Sequence, residues 1–213
     1  MKNNESNRIS EIAFVLDRSG SMSNLVDDTI GGFNSVLQQQ KEKEGRAYIT
    51  TMLFNHEFSW LHDHLNIHDV RPITSKQYFT SGCTALYDAI GQTVSRLDRI
   101  LENEENAGVL LVIITDGMEN ASREFEGGQI RTMIESRREK GWEVLFLGAN
   151  IDSFAVSENL GIARSRTANW HADRKGVDVS YHALNMVVSG FRQSKPLEDD
   201  CLEAVNADYN SRR

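Results

Sequence analysis

The chain has 213 residues, enough for one α/β domain, and its 39% hydrophobic and 25% charged residues exclude a disordered chain. Two prolines and 15 glycines exclude collagen-like and proline-rich classes. With 23 basic and 31 acidic residues the net charge is −8, which argues against a broad basic face for DNA or RNA.

Cysteine usage and hydropathy bear on location. Cys83 and Cys201 are far apart in sequence and form neither a CxxC redox motif nor a zinc knuckle, which favours a reducing compartment. No apolar run approaches the roughly 18 residues of a membrane span. The apolar run over 12–16 is also too short for a signal peptide. We therefore expect a cytoplasmic protein with no membrane span.

Apolar runs typical of buried strands alternate along the chain with apolar stripes at helical spacing. Strands are predicted over 12–16, 47–54, 58–67, 109–114, 144–147 and 165–168, with 58–67 and 165–168 as edge strands. Helices are predicted over 26–37, 86–101, 130–140, 154–160 and 177–191.

This alternation predicts the fold class. Strands that alternate with helices along the chain favour an α/β fold with a doubly wound, mostly parallel central sheet flanked by helices. We expect one domain over 9–195 and a tail over 196–213 that docks as a short helix or frays. The final helix, 177–191, carries an apolar stripe and is expected to pack by that stripe alone.

Polar residues follow two of the predicted strands and precede one helix. Asp17, Ser19 and Ser21 follow the first strand, Asp116 follows the most apolar strand, and Thr84 precedes a helix. Ligands of open α/β sheets bind outside the carboxyl ends of the strands. If the two strands are neighbours, both carboxylates lie in one crevice.

Two carboxylates and nearby hydroxyls form an all-oxygen ligand set. Hard divalent cations such as Mg²⁺ prefer such ligands, with Mn²⁺ or Ca²⁺ as alternatives. Without a cation the two carboxylates would repel, and the pKa of one of them would rise. The sequence therefore predicts a divalent metal site.

The string Asp17-Arg-Ser-Gly-Ser-Met22, followed by Thr84 and then Thr115-Asp116-Gly117, resembles the metal-ion-dependent adhesion site (MIDAS) of the von Willebrand factor type A (VWA) family. All five MIDAS positions are matched, in order, and the resemblance covers roughly residues 9–195. Ser81-Gly82-Cys83 stands where the family usually has a glycine pair, so a slightly different turn is expected. The compact, single-domain form without a signal sequence resembles bacterial stand-alone members of the family, among them the tellurium-resistance-associated VWA proteins.

The resemblance implies a metal-dependent protein-interaction domain. The hydroxyl oxygens of Ser19, Ser21 and Thr84 would hold the ion, with Asp17 and Asp116 close by or acting through water. A partner's Asp or Glu would fill the open coordination position. Two alternatives remain: a Mg²⁺-dependent phosphoryl-transfer or hydrolytic enzyme, and a scaffold with a purely structural metal. The sequence lacks a phosphate-binding loop and a nucleophile elbow, so we expect no catalytic or organic cofactor-binding residues.

Simpler interpretations exist for several of these residues. The Asp17 loop could be an Asx-type turn that caps the next helix, and Thr84 could be a helix N-cap. Glu119 and Asn120 are expected either at the rim of the crevice or in a solvated turn. Cys83 is expected to be partly buried. Four histidines cluster in sequence, for which solvation is favoured over a zinc site: His56, His62, His64 and His68.

Overall fold

The computed structural model describes residues 8–212. Its strands are β1 (Ile9–Asp17), β2 (Arg46–Phe54), β3 (Phe58–Asn66), β4 (Ala107–Thr115), β5 (Glu143–Ala149) and β6 (Thr167–Trp170). Its helices are α1 (Val26–Lys41), α2 (Leu86–Ile100), α3 (Gly127–Glu139), α4 (Ser153–Asn159), α5 (Arg174–Arg192) and α6 (Glu203–Ser211). Short 3-10 helices span Gly20–Leu25 and Arg164–Arg166.

The six strands form one sheet in the order β3-β2-β1-β4-β5-β6. All neighbouring pairs are parallel except β2 and β3, which pair antiparallel at one edge. The predicted doubly wound, mostly parallel α/β fold is therefore confirmed. β1 is buried along its whole length, as expected of a central strand with helices on both faces.

Each face of the sheet has its own hydrophobic core. On one face, α1 and α5 bury residues such as Phe33 and Leu184 against the sheet. On the other face, α2 and α3 bury residues such as Leu86, Ile90 and Ile130. Because helices cover both faces, the polar groups that bind ligands are restricted to the ends of the strands.

The central strands β1 and β4 are neighbours in the sheet, and the connections that leave them diverge. β1 continues through α1 to β2 on one side, and β4 continues through α3 to β5 on the other. Leu16 pairs with Ile114, so Asp17 and Thr115 end their strands at the same level. Strand order thus opens a crevice at the carboxyl ends of β1 and β4.

The contact between α5 and α1 is polar as well as apolar. The buried side chain of Gln40 donates from Nε2 to Asn185 Oδ1 (2.9 Å) and Ser189 Oγ (2.7 Å). Arg192 donates from Nη2 to the backbone carbonyl oxygens of Glu44 and Gly45, both at 3.1 Å. The expectation that the final helix packs by its apolar stripe alone is wrong, because these hydrogen bonds fix its position against α1.

Residues after α5 return to the sheet. Leu202 and Val205 are buried and place α6 beside the edge strand β6. The amide of Asn206 accepts from the backbone N–H of Asn169 and donates to the carbonyl of Thr167, both at 3.3 Å. The side chain thereby occupies the backbone groups that an additional strand would use. No helix in the described part of the chain is long and apolar enough to cross a membrane.

Substitution of two adjacent glycines in α1 tests how closely α1 and α5 approach each other. A Cβ at Gly32 would lie 2.3 Å from the ring of Tyr181 in α5, whereas a Cβ at Gly31 would meet nothing within 4 Å. We expect Gly32→Ala to lower the free energy of unfolding by about 1–3 kcal/mol through overpacking. The matched control Gly31→Ala should raise it by about 0.5–1 kcal/mol, because alanine favours the helix. Urea unfolding measures both, and equal effects would contradict the close approach.

Candidate metal centre

Asp17, the last residue of β1, is held by three neighbours at the carboxyl edge of the sheet. Its Oδ1 accepts from the backbone N–H of Ser19 (2.6 Å), and its Oδ2 accepts from Thr115 Oγ1 (2.5 Å). Tyr78 donates its hydroxyl to the Asp17 backbone carbonyl (2.5 Å). Asp17 is only 1% exposed. Its carboxylate is therefore fixed in place between the two central strands.

A chain of hydroxyls links this loop to Asp116. The hydroxyls of Ser19 and Ser21 lie 3.0 Å apart, and Ser21 Oγ donates to Asp116 Oδ1 (2.5 Å). The second oxygen of Asp116, Oδ2, is buried and has no hydrogen-bond partner among residues 8–212. The cluster thus contains an acceptor that the described protein groups leave unsatisfied.

Thr84 joins the cluster from the loop before α2. Its backbone N–H donates to Asn120 Oδ1 (2.9 Å), and Asn120 returns a backbone hydrogen bond to the Thr84 carbonyl (3.0 Å). A Cβ at Gly117 would lie 2.7 Å from Thr84 Oγ1 and 3.5 Å from Ser21 Oγ. Both hydroxyls therefore converge on Gly117, and all five predicted residues lie together.

Burial changes the acidity of both carboxyl groups. Burial raises the pKa of Asp17 to about 6, and the nearby charge of Asp116 acts in the same direction. Burial also raises the pKa of Asp116, although the hydrogen bond from Ser21 opposes this change. Neither group forms an ion pair with a basic side chain of the described chain. Oxygen ligands with uncompensated negative charge fit a divalent cation.

The simpler interpretations are partly correct. Asp17 does form an Asx-type turn with Ser19, but the Ser19 side chain makes no capping hydrogen bond to the 3-10 helix that follows. Thr84 is not the N-cap of α2, since Ala85 holds that position. Glu119 binds the backbone N–H groups of Tyr87, Ala121 and Ser122, at 2.8–2.9 Å, and so fixes the loop after Asp116.

Two supporting residues were not predicted from the sequence: Thr115 and Tyr78. Thr115 could have been found, because it ends the apolar run of β4 and its neighbour on β1 is Asp17. Tyr78 lies in a loop, whose path depends on tertiary contacts that no periodic pattern records. Asn120, which is expected at the rim of the crevice or in a solvated turn, hydrogen-bonds to the backbone of Thr84.

The turn before Thr84 retains one glycine with a clear conformational reason. Gly82 has φ +69°, and its carbonyl accepts from the backbone N–H of Gly20 at 3.1 Å. A Cβ at Gly82 would lie 2.0 Å from His56 Nδ1. Cys83 is exposed, which corrects the expectation that it is partly buried.

The histidines of β3 make separate contacts. His62 Nδ1 lies 3.0 Å from Thr51 Oγ1, and His64 Nδ1 lies 2.7 Å from the buried carboxylate of Glu11. Within residues 8–212, no group of three or more His, Cys, Asp or Glu side chains is placed to hold a metal. This arrangement does not favour the zinc alternative.

The rim of the centre carries two exposed apolar side chains. Phe79 is 53% exposed and lies in the loop before Thr84, and Met118 is 65% exposed and lies two residues after Asp116. A cavity of about 1070 Å³ between the ends of β5 and β6 and α6 includes Met118 in its lining. None of the five predicted residues lines it.

No protein-family model matches the sequence, and no curated protein matches it. Solved structures do match. The vWF domain of the type V pili tip protein Mfa5 from Porphyromonas gingivalis superposes with a TM-score of 0.65 at 10% identity, covering 91% of this chain and 99% of that one. A von Willebrand factor type A structure from Catenulispora acidiphila gives 0.60 at 13% identity, covering 86% and 43%.

A third match is proximal thread matrix protein 1 from the mussel byssus, with a zinc-occupied MIDAS motif. It superposes with a TM-score of 0.57 at 14% identity, covering 89% of this chain and 46% of that one. The chain thus spans less than half the length of the mussel protein. At these identities the likeness concerns the fold. Strand order, the helices on both faces and these superpositions together show that the chain has the fold of a von Willebrand factor type A domain.

Proposed function

We propose that the chain is a metal-dependent protein-interaction domain that binds a divalent cation at Asp17, Ser19, Ser21, Thr84 and Asp116. The observation that carries the proposal is the buried Oδ2 of Asp116, which has no partner among residues 8–212 and lies close to a second buried carboxylate that forms no ion pair with a basic side chain of that range. A cation would satisfy that oxygen and relieve the repulsion between the carboxylates. Mg²⁺ is the first candidate, with Mn²⁺ or Ca²⁺ as alternatives.

The donor set suits a site that accepts a further ligand. Ser19, Ser21 and Thr84 would supply hydroxyl oxygens, while Asp17 and Asp116 would lie close to the ion or act through water. Neutral hydroxyls leave much of the cation's charge uncompensated, so an incoming carboxylate gains a charge-assisted bond. A partner's Asp or Glu is therefore the proposed ligand, and no catalytic step is assigned to the chain.

Exposed apolar groups beside the centre support a protein partner. Phe79 and Met118 are among the few large hydrophobic side chains exposed in the described chain. Aromatic residues and methionine are enriched at the centres of protein interfaces, where they flank specific polar contacts. A partner acid at the metal would thus be surrounded by apolar contacts.

The proposal extends to the domain boundary and the location. The interaction domain is proposed to span 9–195, with 196–213 as a C-terminal extension that includes α6. Both cysteines are free thiols, which supports a reducing compartment such as the bacterial cytoplasm. The mussel structure, whose MIDAS motif holds zinc, supports a divalent cation at this position of the fold.

Charge removal at the centre tests the metal site. Asp116→Asn should weaken Mn²⁺ binding at least tenfold, about 1.4 kcal/mol, because it removes one carboxylate without changing the side chain's shape. Isothermal titration calorimetry with Mn²⁺ and Mg²⁺ measures the change. Asp69→Asn, at an exposed site outside the centre, is the matched control and should bind like wild type. Equal affinities in the two variants would contradict the site.

Metal affinity should also depend on pH. Since the pKa of Asp17 is raised to about 6, this carboxyl group is mostly protonated below pH 6 and competes less well for a cation. The apparent affinity for Mn²⁺ should be constant above about pH 7 and fall below pH 6, by up to about tenfold per pH unit. Titrations between pH 5 and 8 measure it. Asp17→Asn should show weak binding without an inflection near pH 6, and a wild-type affinity that is flat over this range would be the contrary result.

Partner capture tests the interaction itself. Immobilised protein should retain partners from a cell lysate in Mg²⁺ and release them in EDTA, because a partner carboxylate needs the cation. Thr84→Ala should lower the retained amount, since it removes one of the proposed metal ligands. Retention that survives both EDTA and Thr84→Ala would place the contacts elsewhere and make the metal structural.

A further inference from the structure

Arg18 lies between two residues of the candidate metal centre and is almost completely buried, with 6% of its surface exposed. Its backbone is fixed on both sides, because its N–H donates to the Phe54 carbonyl (2.7 Å) and its carbonyl accepts from Ser81 (3.0 Å). These contacts hold the base of the side chain between the end of β2 and the loop before Thr84. The Arg18 backbone is therefore a fixed part of the edge that carries the centre.

The guanidinium group of Arg18 has an aromatic neighbour but forms no hydrogen bond or ion pair with residues 8–212. Its Cζ lies 5.1 Å from the centre of the Phe79 ring, within the range of a cation–π contact. Its Nε is buried and has no hydrogen-bond partner in the described structure. Burying an unpaired charge is costly, so a missing anion is the simplest explanation of this environment.

Three half-buried arginines contrast with Arg18, whereas Arg192, which forms no ion pair in the described chain either, donates to backbone carbonyl oxygens. Arg96, Arg137 and Arg166 each form an ion pair, with Asp63, Asp98 and Glu143. Arg18 forms none within the described part of a chain whose net charge is −8. Acidic groups are abundant, yet none neutralises the arginine beside the centre. A carboxylate from another molecule would supply the missing partner.

We propose that Arg18, oriented by Phe79, binds a second carboxylate of the ligand, so that the partner presents two acidic side chains to this edge of the domain. One acid would bind the metal, which makes this inference rest on the proposed function, and the other would bind Arg18. The Phe79 ring lies against the guanidinium group, whose Nε has no hydrogen-bond acceptor among residues 8–212. A carboxylate matches the N–H edges of a guanidinium group with two parallel hydrogen bonds.

The second acid is distinct from the first. Neither Asp17 nor Asp116 forms an ion pair with Arg18, so the guanidinium group is not held by the carboxylates of the proposed metal site. Phe79 is more than half exposed, so a partner can contact the ring that lies against the buried guanidinium group. A segment with two acids separated by a short spacer has the chemistry to occupy both positions.

Short peptides of defined charge test the proposal. The probes are acetylated, amidated peptides in which Asp and Glu are separated by zero to three glycines, each compared with the same peptide carrying Gln for Glu. Wild-type protein is first titrated with Mn²⁺, and the loaded protein is then titrated with each peptide. At the best spacing, the two-acid peptide should bind at least tenfold more tightly than its one-acid counterpart.

Variants separate charge recognition from folding. Arg18→Gln should abolish the preference for two acids, and Arg18→Lys should restore part of it, since the charge remains but the planar fork does not. Phe79→Leu changes an exposed side chain and should reduce the preference without unfolding the domain. Arg164→Gln is the matched control, because Arg164 also stacks on a phenyl ring, that of Phe154 at 4.1 Å, away from the centre. It should keep the full preference.

The outcomes distinguish the two proposals. Equal binding of one-acid and two-acid peptides by Mn²⁺-loaded wild type, or a preference retained in Arg18→Gln, would overturn the role of Arg18 while leaving the metal site intact. If Mn²⁺ does not bind, the proposed metal site fails, and the peptides are titrated against the metal-free protein. Binding there that Arg18→Gln abolishes would still support an anion site, and absence of binding would overturn it.

Discussion

Two carboxylates are buried at the ends of adjacent central strands, and no basic side chain among residues 8–212 neutralises them. The rest of this edge of the molecule depends on that constraint. Asp17 and Asp116 are each at most 3% exposed, and burial raises the pKa of both. Hydrogen bonds from Thr115 and Ser21 reduce the cost of that burial without cancelling the charge. An arrangement of this kind stores electrostatic free energy that a cation can release.

Fold and site depend on each other through the strand order. Only the adjacency of β1 and β4 places the loop after Asp17 against the loop after Thr115, and the diverging helices leave room between them. Asn120 then ties the loop before α2 to the same point. Three segments that are far apart in sequence thus meet within hydrogen-bonding distance.

The sheet and the grouping of the five candidate residues could be predicted because both follow from periodicity and strand ends. β1 and β4 are continuous apolar runs, and polar residues that follow such runs fall at one edge. The contact of Tyr78 with the Asp17 backbone could not be predicted, since it depends on how a long loop folds back. The hydrogen bonds of Gln40 to α5 were missed for a related reason: a polar residue on a helix gives no sign in sequence that it is buried.

Edge strand β6 has only four residues and would otherwise present free backbone groups to solvent. The side-chain amide of Asn206 hydrogen-bonds to two of these groups, the N–H of Asn169 and the carbonyl of Thr167, as the backbone of a neighbouring strand would. Because α6 covers the edge of β6 in this way, it hinders the pairing of β6 with a strand of another copy of the domain. Trimming the chain after α5, although it spares the candidate metal centre, would expose an open sheet edge and favour aggregation.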